Sequence, residues 1–247
     1  MADSVFYSQK PIFSTPERKN VPVLQFEPSP GRTIFQLKDP GSAVTHFVGL
    51  VLAIVATPPL LIHGAGEDMS LLQLAALSVF LLSMIGLYAA STTYHALNLP
   101  GKGNRVLKKL DHTMIFFLIA GTYTPICLTV LAGHGGAGLL LKVWTVALGG
   151  TVLKQIWVTH PKWLSSVLYI SMGWLCLTEL PALLTRMNRT GFLWLLAGGV
   201  FYTVGGVIYA LKLQRLNRLH PHFGSHEIFH LFVLAGSACQ YVTMFYL

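Results

Sequence analysis

Ser91 and His95 stand one helical turn apart at the end of a long apolar run, Asp111 opens the next run, and His226 and His230 repeat the four-residue spacing in the string HEIFH near the C-terminus. Side chains at i and i+4 share one helix face, so His226 and His230 can direct two imidazoles at one point, and His95 would supply a third. Three histidines with water in an open fourth position form a common catalytic zinc arrangement. The metal would lower the pKa of that water and polarise a carbonyl. Imidazole suits Zn2+ better than it suits magnesium or calcium, while ligand type alone leaves iron, nickel and copper open. Asp111 is then the candidate to hold or deprotonate the water, and Ser91 to donate a hydrogen bond to it or to a developing oxyanion. If these groups converge, the constellation is hydrolytic.

Each residue also has a plainer reading. An isolated histidine at a membrane boundary is usually only an interfacial polar group, and H-x-x-x-H arises by chance in a chain with 10 histidines. The Ser91 hydroxyl can bond its own helix, and Asp111 can complement a helix N-terminus. What favours a site is the shared depth of these groups on three helices, because ionisable residues inside membranes are costly and mark function by default. His112 is offset from Asp111 by about 100° on a helix and is expected to face elsewhere. His46, at the same end of the first span, is expected either to support the site or to pack.

The elements that must position these residues are membrane spans. Of the 247 residues 53% are hydrophobic and 11% charged, against roughly 25% charged in a soluble domain. A hydrocarbon core about 30 Å thick needs roughly 20 apolar residues per helix. Seven runs meet that need: Ser42 to Ile62, Leu71 to Leu97, Thr113 to Leu131, Ala137 to Thr159, Leu164 to Leu184, Phe192 to Leu213 and Ile228 to Leu247. The predicted fold is an all-α integral membrane protein with a seven-helix domain over 42–247. Residues 1–41 read as a polar, basic tail without the apolar core of a signal peptide. Lys142 and Lys154 lie inside the fourth run, near its ends, where their stems are expected to snorkel to the interface.

Charge supports the count. The tail, the Lys102–Lys109 connection, Lys154 with Lys162, and Lys212, Arg215 and Arg218 hold fourteen of the 17 basic residues. Lys142, Arg186 and Arg189 fall on the other side. Seven alternating spans with the N-terminus cytoplasmic and the C-terminus outside satisfy the positive-inside rule. The net charge of +8 thus reflects topology and contact with anionic lipid, and nucleic acid is not an expected partner. Cys127, Cys176 and Cys239 are too few and scattered for a disulfide framework or a thiolate zinc site. Gly198-Gly199 and Gly205-Gly206 share a face of the sixth span, where close helix packing is expected.

The motifs Ser91-x-x-x-His95, Asp111 in DHTMIFFLIAGTYTP and His226-x-x-x-His230 resemble the hemolysin III family of bacterial membrane proteins, related to the progestin and adiponectin receptors and more distantly to alkaline ceramidases. The resemblance covers roughly residues 39 to 247. It implies seven helices in the cell membrane and a cytoplasmic-side zinc bound by His95, His226 and His230. A water would lie between the metal and Asp111, with Ser91 assisting. It further implies hydrolysis of lipid amides such as ceramides. The family often carries Glu-x-x-Asn just before the first span, with a histidine four residues after the Asn; here Asp39 and Ser42 take those places and His46 is retained. Three functions therefore compete: a zinc-dependent lipid amide hydrolase, a membrane sensor or receptor with a structural zinc, and a pore-forming cytolysin. No span carries the regular polar stripe that a water-filled pore needs.

Overall fold

A computed structural model describes residues 37–157, 161–211 and 224–247. The tail expected over 1–41 lies, up to residue 36, outside the described residues. The described elements are α1 (Pro40–Gly66), α2 (Leu71–Ala96), α3 (Gly101–Thr129), α4 (Gly136–Ile156), α5 (Lys162–Gly173), a 3-10 turn (Trp174–Glu179), α6 (Leu180–Arg186), α7 (Arg189–Leu211), α8 (Ser225–Thr243) and a terminal 3-10 turn (Met244–Tyr246). Among the described residues seven spans are long and apolar enough to cross a membrane, α5, the first 3-10 turn and α6 together forming the fifth. Residues such as Val55 and Leu71, 64% and 84% exposed, present their side chains outward, as a bilayer allows.

Local chemistry sets several boundaries. Ser70 and Gln73 form a reciprocal capping box at the start of α2, satisfying two orphan N–H groups. Gly135, at φ +87°, supplies the left-handed residue before α4. The third helix begins at Gly101, well before the apolar run expected from Thr113, because its first turns are polar and project beyond the hydrophobic stretch. Asp111 therefore lies three turns inside α3. The seventh span likewise begins at Ser225, which places His226 in its first turn.

The fifth span is broken where an unbroken apolar run was expected. At the break the Tyr123 hydroxyl, from α3, donates to Gly173 O at 2.6 Å and accepts from the Cys176 N–H at 2.9 Å. Such backbone groups must be satisfied internally when water is absent. The core lies along α2 and α3, where Phe80, Leu81, Leu87 and Phe116 are almost fully buried. The close packing expected of the sixth span occurs against α8: a Cβ on Gly205 would meet Phe232 Cβ at 2.8 Å.

Lys154 departs from expectation. It does not snorkel outward but is 5% exposed and turned toward α5, where Nζ donates to Ser165 Oγ at 2.7 Å.

Candidate metal centre

His95 at the end of α2 and His226 and His230 at the start of α8 each offer one nitrogen, and these atoms lie within 4.8 Å of one another. His95 Nε2 and His226 Nε2 are 3.3 Å apart. Two nitrogens held 2.0–2.1 Å from a tetrahedral zinc stand about 3.3–3.4 Å apart, so this pair fits such a metal as it stands.

The far sides of two rings fix which nitrogen faces inward. His95 Nδ1 lies 2.9 Å from Asp39 Oδ2; because a carboxylate only accepts, the proton sits on Nδ1 and the Nε2 lone pair faces the cluster. His230 Nδ1 lies 3.4 Å from Thr45 Oγ1. The Thr45 hydroxyl already donates toward Gly41 O and Ser42 O, which leaves it to accept the ring N–H. Both imidazoles are thus oriented in the tautomer a metal requires.

The chain entering α1 forms the support. The backbone N–H groups of Lys38 and Asp39 donate to Ala96 O and His95 O, capping the end of α2. Lys38 Nζ donates to Tyr94 O and Asn104 Oδ1, both at 3.1 Å, and lies 3.3 Å from the centre of the Tyr94 ring. Burial pushes this ammonium below its ordinary range, and Asp39, 3.8 Å away, works in the opposite direction. One residue thereby ties α2, α3 and the carboxylate that orients His95. If the three histidines hold a metal, removing that carboxylate by Asp39→Ala is expected to weaken its binding by about 10- to 100-fold. A chelator-competition titration reads the change, and unaltered affinity would show that Asp39 does not orient the ligand.

Glu227 lies between the two α8 histidines in sequence, and its carboxylate is held by other partners. Its Oε1 accepts from Ser42 Oγ at 2.7 Å and its Oε2 from the Gly224 N–H at 2.8 Å. Ser42, standing where the resembling family often has Asn, is fully buried and joins α1 to α8 through this bond. Sequence reasoning missed Glu227; its place three residues after Gly224, at a helix start, was the available signal.

Ser91, Asp111, His226 and His230 line one cavity, with His95 buried behind them. Among the described residues Ser91 Oγ makes no hydrogen bond of ordinary geometry, even to its own helix, and it faces the Asp111 carboxyl. Thr93 nearby does bond its own helix, at 2.7 Å to Ala89 O. Asp111 is 8% exposed, and its place inside α3 removes the reading of it as a helix-terminal charge. His112 does not face elsewhere: it lines the same cavity, with Nδ1 3.5 Å from Asp111 Oδ2 and Nε2 3.3 Å from the Tyr209 hydroxyl. His46 stacks on His230, ring centres 3.6 Å apart.

Beyond these groups the cavity wall is mostly apolar. It follows α3 from Asp111 to Ile126 and α8 from His226 to Gln240, about 20 Å of each helix. Such a space suits a long apolar chain with its polar end at the histidines.

Comparison with known proteins agrees with this architecture. Residues 35–241 match the family described as Haemolysin-III related. The chain is 37% identical over 214 residues to a protein named Hemolysin-3 from Bacillus cereus, covering 87% of this chain and 93% of the relative. A Hemolysin-3 homolog from Bacillus subtilis (strain 168) is 36% identical over 214 residues, covering 86% and 96%. More distantly, an adiponectin receptor protein from Drosophila melanogaster is 22% identical over 236 residues, covering 85% of this chain and 51% of the relative. Seven membrane-spanning helices and a match that runs from the strap before α1 into α8 make the chain a member of the haemolysin-III related family of multi-pass cell-membrane proteins.

Proposed function

We propose that the protein is a zinc-dependent hydrolase of lipid amides. The observation that carries the reading is the convergence of three histidine nitrogens, a buried carboxylate and a hydroxyl without an ordinary partner at the polar end of an apolar cavity. A bound Zn2+ supplies Lewis acidity to the amide carbonyl and acidifies a water. Asp111 accepts the proton of the attacking water and returns it to the departing amine nitrogen as the C–N bond breaks. Ser91 donates a hydrogen bond to the oxygen on which negative charge develops. The apolar wall holds the acyl chain and keeps bulk water from the reacting groups. The products are a fatty acid and an amine.

The histidine cluster also joins the second span to the last, which favours a second reading, a receptor or sensor with a structural zinc. The Drosophila relative is named a receptor. A pore has less support, since the cavity wall is mostly apolar. Purified protein given a labelled short-chain ceramide in detergent separates the first two readings. Turnover that disappears on chelation and returns with added Zn2+ is the expected result. Loss of thermal stability on chelation from protein that never turns over a lipid amide would favour the structural role.

A further inference from the structure

Lys154 has a second peculiarity beside its inward direction. Its described contacts are neutral: the Ser165 hydroxyl at 2.7 Å and the Tyr169 ring, whose centre lies 5.8 Å away. Among the described residues it forms no ion pair. Asp111 acts on it only through space. An ammonium withdrawn from water without a carboxylate in direct contact is strongly unfavourable, and inside a membrane such a group marks a binding or transport path.

The neighbouring side chains point to what balances it. Ser166 is 3% exposed, and its Oγ has no hydrogen-bond partner among the described residues. Ser166 and Tyr169, one turn apart on α5, both line the cavity that holds Ser91 and Asp111. Lys108 adds to the positive field at Lys154, and Lys109 bonds Gln155 O beside it. A hydroxyl donor, an ammonium and a positive surround share one preference, for an oxyanion.

We propose that Ser166, in the wall of the cavity, and Lys154, packed behind that wall beside the lining residue Tyr169, form an oxyanion site, separate from the histidine cluster, that takes the ionised head of a lipid, a carboxylate or a phosphate. The site goes beyond the hydrolase reading and requires neither turnover nor a metal. Thermal unfolding of purified full-length protein tests it with four probes: oleate beside methyl oleate, and dioleoyl phosphatidic acid beside dioleoylglycerol. In the wild type at least one anion should raise the unfolding midpoint more than its uncharged counterpart does, and the responding pair identifies the source of the oxyanion. Lys154→Met should weaken binding of that anion by about ten- to a hundred-fold, the loss expected of a charged hydrogen bond. The response to the uncharged counterpart should remain. Ser166→Ala should reduce the anion's effect in the same direction, and it carries the test if Lys154→Met does not fold. Equal responses to charged and uncharged probes in the wild type, or anion binding that neither substitution alters, would overturn the site. Oleate held only at the histidine cluster would give the second of those results.

Discussion

Asp111→Asn should lower turnover of a lipid amide by about a hundred- to ten-thousand-fold, the range associated with general acid–base catalysis, while zinc content stays close to that of the wild type. The substitution keeps the shape and one oxygen acceptor but removes a group able to carry a proton between water and leaving amine. Asp111 belongs to α3, whereas the three nitrogen donors come from α2 and α8, so the proposed mechanism assigns metal retention and proton transfer to different helices. Elemental analysis and a turnover assay on the same preparation read the two properties separately. A variant with full activity would remove Asp111 from the mechanism. One that loses zinc along with activity would make the carboxylate part of the metal's support.

The features legible in the sequence are those set by short-range geometry. Bilayer thickness fixes the length of an apolar run, so seven spans could be counted, and the helical repeat places His226 and His230 on one face. Features missed by that reading depend on contacts distant in sequence. Asp39 and His95 are 56 residues apart, and Ser42 and Glu227 are 185 apart. Nothing local to Asp39 or Ser42 announces either partner. The early start of α3 was hidden because its first turns, GKGNRVLKKL, are polar, and an apolar-run search measures only the part of a helix that meets lipid. The break in the fifth span was hidden for the converse reason. Its 3-10 turn WLCLTE is mostly apolar, and the hydroxyl that satisfies the break belongs to Tyr123 on another helix.

Lys154 shows the same limit in one side chain. A lysine two residues before the end of α4 can reach outward to the interface or inward to the bundle, and its position along the span is identical in both cases. Ser165 and Tyr169 on α5 decide between them. Ser91 is the counterpart: its depth was readable, but only the absence of a bond to its own helix separates it from an ordinary helical serine.

The double substitution His226→Ala/His230→Ala should reduce zinc from about one per chain to almost none, because it removes two of three ligands from a single helix. It should also lower thermal stability. A ligand present at a thousand times its dissociation constant stabilises the folded state by about 4 kcal/mol, which corresponds to an unfolding shift on the order of 10 °C for a chain of this size. Chelating the wild type should reproduce most of that shift, and adding zinc to the variant should recover none of it. Those two controls separate metal loss from the cost of deleting His230, a side chain only 2% exposed and stacked on His46. Wild-type protein that is folded and free of metal after preparation without chelators would overturn the catalytic and structural zinc readings together. The 3.3 Å approach of His95 Nε2 and His226 Nε2 would then be a hydrogen bond between the two rings, and Asp39 would serve only to orient it.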